Sequence, residues 1–352
     1  MNNDRIQEIL EEARLDYFLI SDPQSIAYCT GYYNDPHERM FVFMISKHGN
    51  HTLFMNDLFY LDHDLDVNIV WHKDGQDAIQ TIVDEMHFPG RIGIDKNWAS
   101  HFLLDLMKKL PDAKYINASP CVDLVRMKKD LQEQVLMIES SKINDAVMEE
   151  IIPFIQEGVT EKQLAKKLDE LFFNHHSTCY GAIVAFGKNA ADPHHENDDT
   201  LLRKGDCVLI DMGCVYKGYC SDMTRTFFYE GILEEEIKVY EIVKKANEAA
   251  EAMIKPGVKL SDIDKCARKV ISDEGYGKYF THRLGHFIGR DVHEYGDVSS
   301  VNEMEVEEGM IFSIEPGIYL EENFGVRVED LVMVTKDGCQ VLNSFTKDIY
   351  II

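Results

Sequence analysis

Residues 208–226 read VLIDMGCVYKGYCSDMTRT, two strand-like runs joined by a turn with one aspartate inside each run. Aspartate is depleted in β-strands, and an aspartate that is buried without a partner destabilises the fold. The positions of Asp211 and Asp222 therefore indicate that a partner neutralises their negative charges.

The position of the turn decides how close these two aspartates come. A turn centred on Tyr216 and Lys217 places Asp211 directly opposite Asp222, and a turn centred on Lys217 and Gly218 places them diagonally. Both registers leave the two carboxylates on one face, about 5–8 Å apart. Close carboxylates on a partly buried face repel, so the hairpin predicts either a retained proton or a bound cation.

Residues 311–332 repeat this arrangement on either side of the acidic loop 321–325, and Glu315 can lie opposite Glu329. Four carboxylates then come from two hairpins. Two divalent cations that lie about 3.5–4 Å apart and share bridging carboxylates would neutralise such a set. A histidine is the expected fifth ligand, and residues 281–294, THRLGHFIGRDVHE, contain three.

The second half of the chain has the features of an internal duplication. At an offset of 99 residues Gly158 falls on Gly257 and His194 falls on His293. After a small insertion, the first carboxylate of the first hairpin falls on the first carboxylate of the second. This agreement of acid with acid and histidine with histidine favours two related halves.

At 352 residues the chain is longer than a typical single domain. The pattern favours an α+β protein with a small α/β domain at 1–125 and a second domain at 126–352 that opens with an amphipathic helix at 131–156. Within the first domain it predicts helices near 4–14, 76–87 and 98–109 and strands at 17–20, 40–45 and 92–94.

Composition excludes several classes of partner. The net charge of −26, from 62 acidic against 36 basic residues, disfavours binding to nucleic acid or to an anionic membrane. No apolar run approaches the ~18 residues that a membrane span requires, and the N-terminus lacks the apolar core of a signal peptide. The eight cysteines contain no CxxC pair, which is typical of reduced thiols in a cytoplasmic protein.

A set of short motifs surrounds the five candidate ligands Asp211, Asp222, His286, Glu315 and Glu329. These motifs are Asp192-Pro-His194, Asp211-Met-Gly213, Ser221-Asp-Met-Thr-Arg225, Gly285-His286-x-x-Gly289, Val292-His-Glu294, Ser313-Ile-Glu-Pro-Gly317 and Val326-Arg-Val-Glu-Asp330. Together they resemble the pita-bread metallopeptidases, which include methionine aminopeptidase, aminopeptidase P and the Xaa-Pro dipeptidases (prolidases). The first domain resembles the N-terminal domain shared by creatinase, aminopeptidase P and prolidase, so we expect a creatinase-type domain followed by a pseudo-twofold pita-bread domain.

The resemblance implies how the ligands are shared between two divalent metal ions. Asp211 would be a terminal ligand of one ion, His286 and Glu315 would bind the other, and Asp222 and Glu329 would bridge both. A carboxylate-rich set suits hard or borderline ions, with manganese first and cobalt or zinc as substitutes. A metal-bridging hydroxide would be the nucleophile.

The resemblance also implies catalytic roles for groups around the metals. Glu315 would carry the proton of the attacking water to the leaving nitrogen. His194 and His293 would donate to the oxyanion or hold the scissile carbonyl. His195 and the pair at 175–176 have no counterpart in the family pattern and are expected on the surface.

Further side chains near the ligands receive less direct roles. His282 is expected to line the site. Arg327 is expected on the strand face opposite to Glu329, where it would orient neighbouring carboxylates and contact substrate. Cys214 and Cys220 are expected to pack the fold, because soft thiolates do not suit this ligand set.

Two positions depart from the family's Gly-His-Gly-x-Gly-Leu pattern, since Phe287 replaces a glycine and Arg290 replaces the apolar residue. We expect Arg290, with His37 or Arg39 from the polar loop 34–39, to recognise or gate the free carboxylate of a dipeptide. The alternative is that Arg290 is solvated and balances Asp291.

The resemblance implies a homodimer, and these expectations favour a dipeptidase that cleaves Xaa-Pro and releases proline. A prolyl peptide bond has no N–H and a restricted φ, so general peptidases handle it poorly. Aminopeptidase P, acting on longer Xaa-Pro-Yaa peptides, is the alternative within the class, and methionine aminopeptidase fits less well because it does not need the first domain. A non-catalytic pita-bread binding protein, or a creatinase-like hydrolase without metal, is the alternative outside it.

Overall fold

The computed structural model describes residues 6, 8, 10, 13–61, 63–87 and 89–352. The chain divides into two compact units, Met1–Arg126 and Met127–Ile352. Of the predicted helix near 4–14, Ile6, Glu8 and Leu10 are helical, and the other positions up to residue 12 lie outside the described residues. None of the helices that the structure describes combines the length and apolar character needed to cross a bilayer.

The first unit is built on a six-stranded mixed sheet with the order β4-β3-β2-β1-β5-β6. Alternate residues of the central strand face opposite sides, so Phe18 and Ile20 enter one hydrophobic cluster while Tyr17 and Leu19 enter another. The strands are β1 Tyr17–Ile20, β2 Val42–Ser46, β3 Thr52–Asn56, β4 Asn68–His72, β5 Arg91–Ile94 and β6 Lys114–Asn117, and the helices are α1 Pro23–Thr30, α2 Ala78–Glu85, α3 Ser100–Lys109 and α4 Ser119–Met127.

The first half of the second unit begins with two helices. The predicted helix 131–156 ends at Ile151 and continues as a 3₁₀ turn, Ile152–Phe154, because Pro153 has no N–H to donate within an α-helix. The elements are α5 Leu131–Ile151, α6 Glu161–Asn174, β7 Thr178–Cys179, β8 Ile183–Phe186, β9 Cys207–Met212, β10 Cys214–Tyr216, β11 Tyr219–Cys220 and β12 Met223–Phe228, with a 3₁₀ turn at Gly187–Ala191.

The second half repeats this order of two helices followed by strands and a hairpin. Its elements are α7 Glu234–Met253, α8 Leu260–Asp273, β13 Gly285–His286, β14 Asp297–Val298, β15 Ile311–Ile314, β16 Gly317–Leu320, β17 Phe324–Arg327, β18 Asp330–Val334 and β19 Cys339–Val341, with a 3₁₀ turn at Gly277–Tyr279.

Equivalent hydrogen bonds occur in the two halves. Asn144 of α5 donates from its side chain to the carbonyl of Met212 at 3.0 Å, and Asn247 of α7 donates to the carbonyl of Ile314 at 2.8 Å. The predicted glycine pair also has matching geometry. Gly158 and Gly257, each a few residues before the second helix of its half, have φ of 82° and 86°. The repeated contacts support the predicted pseudo-twofold arrangement.

The registers of the two hairpins settle the geometry of the carboxylates. Asp211 pairs with Thr224, so the turn is centred on Lys217 and Gly218, and Asp222 lies diagonally from Asp211. Lys217 and Gly218 have φ of 49° and 83°, as a tight hairpin turn with the twist of the strands requires. In the second hairpin Ile314 pairs with Asp330, and the next step of that register sets Glu315 opposite Glu329.

Strand periodicity then determines what Asp211 faces. Val208, Ile210 and Met212 pack with the helices α5 and α6 in one core. Leu209, on the alternate face, packs in the core that also holds the strands of the second half. Asp211 shares the face of Leu209 and is therefore directed toward the second half of the domain.

Candidate active site

A cavity of about 550 Å³ lies in the second unit, between the two hairpins. Each of the five predicted metal ligands lines it: Asp211 from β9, Asp222 before β12, His286 from β13, Glu315 after β15 and Glu329 before β18. Strands from both halves of the domain therefore supply the set.

His286 turns a nitrogen lone pair toward the carboxylates. Its Nδ1 donates to the carbonyl of Phe287 at 3.3 Å, which leaves Nε2 unprotonated. Nε2 lies 3.6 Å from Asp222 Oδ2 and 3.5 Å from Glu315 Oε1. One ligand atom each from Asp222, His286 and Glu329 lie within 4.8 Å of one another. Acceptors facing acceptors at this distance need a proton or a cation between them.

The pKa values of the carboxylates and of His286 reflect the same unfavourable contacts. Burial raises the pKa of Asp222 and of Glu329 well above the usual range, and neighbouring carboxylates raise both further. Burial raises the pKa of Glu315 to about 7 and lowers that of His286 to about 3. The carboxylates therefore resist ionising together, whereas the imidazole is already neutral, which is the form that binds metals.

One buried oxygen in this cluster has no hydrogen-bond partner among the described residues. Thr224 Oγ1 donates to Glu329 Oε2 at 2.7 Å, but Glu329 Oε1 receives no donor. A buried carboxylate oxygen without a donor is unfavourable unless a ligand completes it. The residues present, four carboxylates and one neutral imidazole, fit divalent cations.

Backbone and hydroxyl contacts hold the ligands in place. Ser313 Oγ accepts from the backbone N–H of His286 at 3.0 Å and donates to Glu315 Oε1 at 3.2 Å. Arg225, fully buried, donates to the backbone carbonyl of Glu329 at 2.6 Å and forms an ion pair with Asp330 at 2.7 Å. Such contacts fix the rotamers of groups that would otherwise repel.

Arg327 lies in the cavity on the same side as Glu329, so the expectation that it points to the opposite strand face is wrong. Residues two apart in a strand share a face, and both line the cavity. Its Nη2 lies 2.6 Å from Asp211 Oδ2, its Nε donates to Thr224, and its Nη1 donates to the Tyr319 hydroxyl at 3.0 Å. Arg327 therefore orients Asp211.

His282 lines the cavity at the end of a hydrogen-bond chain. Its Nδ1 donates to the carbonyl of Arg283 at 2.7 Å, so its Nε2 accepts from the Tyr319 hydroxyl at 2.8 Å. That hydroxyl in turn accepts from Arg327. Burial lowers the pKa of His282 to about 4, so the ring is a neutral member of the chain.

His194 and His293 both line the cavity, and His293 packs edge-on against His286 with ring centroids 4.2 Å apart. Burial lowers the pKa of His293. His194 is exposed on the loop that follows β8. The structure therefore brings the two histidines of the predicted repeat to one cavity with the ligands.

Two of the side chains that line the cavity were not predicted from the sequence. The Tyr180 hydroxyl donates to the carbonyl of Ser221 at 2.7 Å, beside Asp222. Arg283 also lines the cavity, and in the described part of the chain no hydrogen bond or ion pair engages its side chain. Arg283 belongs to the histidine-rich stretch 281–294, so its type and position were visible, but nothing in the pattern gave its direction.

The structure does not bring Arg290 into this group. Its guanidinium lies over the ring of Tyr219, 5.5 Å from the centroid, and close to Gly218 at the tip of the first hairpin. Arg290 does not line the described cavity. His37, in the first unit, is exposed and has φ of 51°; its predicted contact with substrate stays a prediction.

A second group of possible ligands, Glu161, His195 and Asp198, lies outside the cavity. His195 Nε2 lies 2.6 Å from Glu161 Oε2, and the two side chains are 12% and 0% exposed, so the expectation that His195 is a surface residue is wrong. Both carboxylate oxygens of Glu161 already accept N–H donors. This group is a satisfied hydrogen-bond network, unlike the cluster around Glu329.

Gly213 provides a test of how tightly the site is packed. A Cβ at this position would overlap the Tyr180 hydroxyl and the backbone carbonyl of Ser221. We predict that Gly213→Ala breaks the Tyr180 to Ser221 bond, destabilises the protein by about 2 kcal/mol or more and displaces Asp222. Gly338→Ala is the control, because its Cβ would have 3.9 Å to the nearest atom. Equal melting temperatures for the two variants would contradict this packing.

Models of two families match the chain. The family described as "Metallopeptidase family M24" matches residues 135–336, and the "Creatinase/Prolidase N-terminal domain" matches residues 3–128. An uncharacterized peptidase of Staphylococcus saprophyticus is 33% identical over 357 residues, covering 99% of this chain and 100% of the relative.

Solved structures resemble the whole chain. A dipeptidase from Pyrococcus horikoshii is 34% identical with a TM-score of 0.93, covering 100% of both chains. The Xaa-Pro dipeptidase from Bacillus anthracis is 28% identical with a TM-score of 0.93, covering 100% of this chain and 99% of that chain. An X-Pro aminopeptidase from Thermotoga maritima is 29% identical with a TM-score of 0.86, covering 99% of this chain and 100% of that chain.

Proposed function

This chain belongs to metallopeptidase family M24, and from that premise we propose that it is a metal-dependent dipeptidase that cleaves Xaa-Pro and releases proline. One observation carries the proposal. A single cavity holds four carboxylates and a neutral histidine suited to divalent cations, together with Arg283, whose side chain has no hydrogen bond or ion pair among the described residues. The first group suits hydrolysis, and the second suits a substrate with a free carboxylate.

The five ligands would hold two divalent cations, with Asp222 and Glu329 shared between them. Manganese is the first candidate, with cobalt or zinc as substitutes, because oxygen ligands predominate. When bound, such cations lower the pKa of a coordinated water and stabilise negative charge on the scissile carbonyl oxygen. The unpaired Oε1 of Glu329 supports this assignment.

Glu315 is the residue proposed to move the proton. The Ser313 hydroxyl donates to its Oε1 and fixes the carboxylate beside His286. From there it can take a proton from the attacking water and deliver it to the prolyl nitrogen. Proton delivery is needed because this nitrogen must leave as an amine, and a positioned carboxylate performs this transfer.

His194 and His293, which both line the cavity, are proposed to hold the oxygen of the scissile carbonyl. An imidazole N–H directed at that oxygen makes a stronger hydrogen bond as the oxygen gains negative charge. His282, being neutral and hydrogen-bonded to Tyr319, would keep the wall beside this position rigid. Arg327 is engaged by Asp211 and would act through that carboxylate.

Arg283 is proposed to bind the free carboxylate of the dipeptide, which replaces the role expected of Arg290. In an Xaa-Pro dipeptide the carboxylate lies one residue beyond the scissile bond, and in a longer peptide that position carries an amide. A cation that lines the cavity can distinguish the two, because a guanidinium binds a carboxylate more strongly than a neutral carbonyl. Arg290 lies on the Tyr219 ring instead.

We predict that Arg283→Ala raises KM for an Xaa-Pro dipeptide about 10–50-fold and changes kcat little, since the lost contact is worth about 2 kcal/mol. The Xaa-Pro amide, which lacks the charge, should show less than about a threefold change. Arg290→Ala is the matched arginine control and should leave both substrates unaffected. If Arg290→Ala raised KM for the acid and Arg283→Ala did not, the assignment would belong to Arg290.

The alternative within the family is an aminopeptidase P activity, which the likeness to an X-Pro aminopeptidase keeps open. The direct test compares release of the N-terminal residue from Xaa-Pro and Xaa-Pro-Yaa. The proposed dipeptidase has a kcat/KM at least about tenfold higher on the dipeptide. A preference for the tripeptide would favour the aminopeptidase. A non-catalytic binding protein is disfavoured because each of the five ligand positions is filled.

We also propose that the protein is a homodimer located in the cytoplasm. The homodimer follows from the family resemblance alone, and light scattering on the purified protein measures it directly. The cytoplasmic location is supported by eight cysteines that are all free.

A further inference from the structure

The loop that carries His194 into the cavity is anchored by a buried carboxylate on its far side. We call residues 186–198 the His194 segment. Glu161, at the first position of α6, is fully buried and accepts hydrogen bonds from this segment at both of its oxygens.

The anchor is extensive for a single side chain. Glu161 Oε1 accepts from the backbone N–H of Phe186 at 2.9 Å and from Asn189 Nδ2 at 2.9 Å. Its Oε2 accepts from His195 Nε2 at 2.6 Å and from the backbone N–H of Asp198 at 3.0 Å. One carboxylate therefore joins the start, the middle and the end of the segment.

His195 transmits this anchor to its neighbour. Its ring is held by Glu161, while its backbone N–H donates to the carbonyl of Asp192 at 3.2 Å and that of His194 donates to Asp192 Oδ1 at 3.0 Å. These hydrogen bonds fix the backbone on both sides of the peptide bond between His194 and His195. The direction in which the His194 side chain projects from the backbone is therefore also fixed.

The segment is also held from the cavity side. Arg327 Nη1 donates to the carbonyl of Pro193 at 3.4 Å. Pro193 and His194 line the cavity, whereas Glu161 and His195 do not. Glu161 therefore holds the outer side of a loop whose inner side bears the histidine proposed to contact the substrate.

We infer that Glu161 and His195 are positioning residues that act on the reaction through His194. This inference rests on the proposed function, because it needs His194 to contact the scissile carbonyl. Precise placement of such a donor matters, since a displacement of about 1 Å can cost up to about 100-fold in rate.

The test is a double-mutant cycle measured as kcat/KM on an Xaa-Pro dipeptide with the metal-loaded protein. We expect His195→Ala to lower kcat/KM about tenfold in the wild-type background and less than about twofold in the His194→Ala background, because the residue it acts through is then absent. His195→Gln, which keeps an N–H donor for Glu161, should recover most of the loss. His175→Ala is the matched control: His175 forms a similar pair with Glu150 at 3.0 Å at the other end of α6 and should have no effect in either background.

A second readout does not use activity. Glu161→Gln removes the charged acceptor, and we expect the amide hydrogens of Phe186 and Asp198 to exchange with solvent at least about tenfold faster, since both donate to Glu161. If Glu161→Gln fails to fold, the same amides are measured in His195→Ala.

The outcomes separate this inference from the proposed function. Equal losses from His195→Ala in both backgrounds, or no loss in either, would overturn the positioning role while leaving the dipeptidase in place. If His194→Ala itself has wild-type activity, the proposed role of His194 fails, and the inference fails with it. Wild-type protein without activity on any Xaa-Pro peptide would reject the function before the cycle is measured.

Discussion

Replacing Glu329 with alanine is expected to lower kcat/KM for an Xaa-Pro dipeptide by about 1,000-fold or more and to reduce the bound metal below two ions per chain. Glu329 is proposed to bridge both cations, so its loss weakens both sites at once. Its buried Oε1, which has no hydrogen-bond donor in the described structure, would be completed by those cations. Metal content by elemental analysis and kinetics on the same sample measure both quantities.

Glu321→Ala is the matched control, because this exposed carboxylate belongs to the tip of the same hairpin and does not line the main cavity. It should retain metal and activity. A Glu329→Ala protein with two bound ions and near-wild-type turnover would exclude the bridging role.

The same carboxylate should destabilise the metal-free protein. Burial raises the pKa of Glu329, so the folded state retains a proton that the unfolded state releases above about pH 4.5. The free energy of unfolding therefore falls as the pH rises from that value toward the raised pKa. At pH 7 and without metal, Glu329→Gln should melt at a higher temperature than the wild type, and saturating Mn²⁺ should reverse the order.

Glu315→Gln is expected to lower kcat about 100-fold or more while the protein keeps most of its metal. The amide preserves an oxygen ligand and approximately the same volume, but it cannot accept and return a proton, which is the step proposed for this side chain. KM should change much less than kcat, since the carboxylate is not proposed to bind the substrate.

His293→Ala tests a different catalytic contribution from that of Glu315→Gln. It should lower kcat by a similar factor through loss of a donor to the carbonyl oxygen, with metal content unchanged. Near-wild-type kcat for Glu315→Gln at full metal occupancy would remove the proton-transfer role, and the same result for His293→Ala would remove the donor role.

The convergence of the four carboxylates could be predicted because these residue types are unusual where they occur, and the choice of His286 among three histidines came from the family resemblance. Asp211 lies in a strand and Glu315 directly follows one, where charged residues are rare without a partner, and the duplication repeated the pattern. The register of the first hairpin stayed open, because its turn needs positive φ at Lys217, a conformation that lysine seldom adopts.

The directions of several surrounding side chains could not be predicted. Arg283 and Arg290 lie seven residues apart in a stretch with little regular structure, so no periodicity indicates which of them faces the cavity. The same limit applies to His195, whose partner Glu161 is 34 residues away in the sequence. Contacts of this kind depend on tertiary packing.

The first unit shows a related limit for secondary structure. The strand β1 was predicted well because its four residues are all apolar and buried. Strands β4 and β6 were not predicted, since they combine polar and apolar residues in short runs at the two edges of the sheet, where pairing with a neighbour decides the conformation.

Metal dependence is tested most directly by proline release from an Xaa-Pro dipeptide by one preparation of the protein, measured after exhaustive chelation and again after reloading with Mn²⁺. We predict no release above background from the chelated protein and recovery of activity that saturates near two equivalents of metal per chain. Equal rates before and after chelation, at a confirmed absence of metal, would contradict the proposal that this protein is a metal-dependent Xaa-Pro dipeptidase.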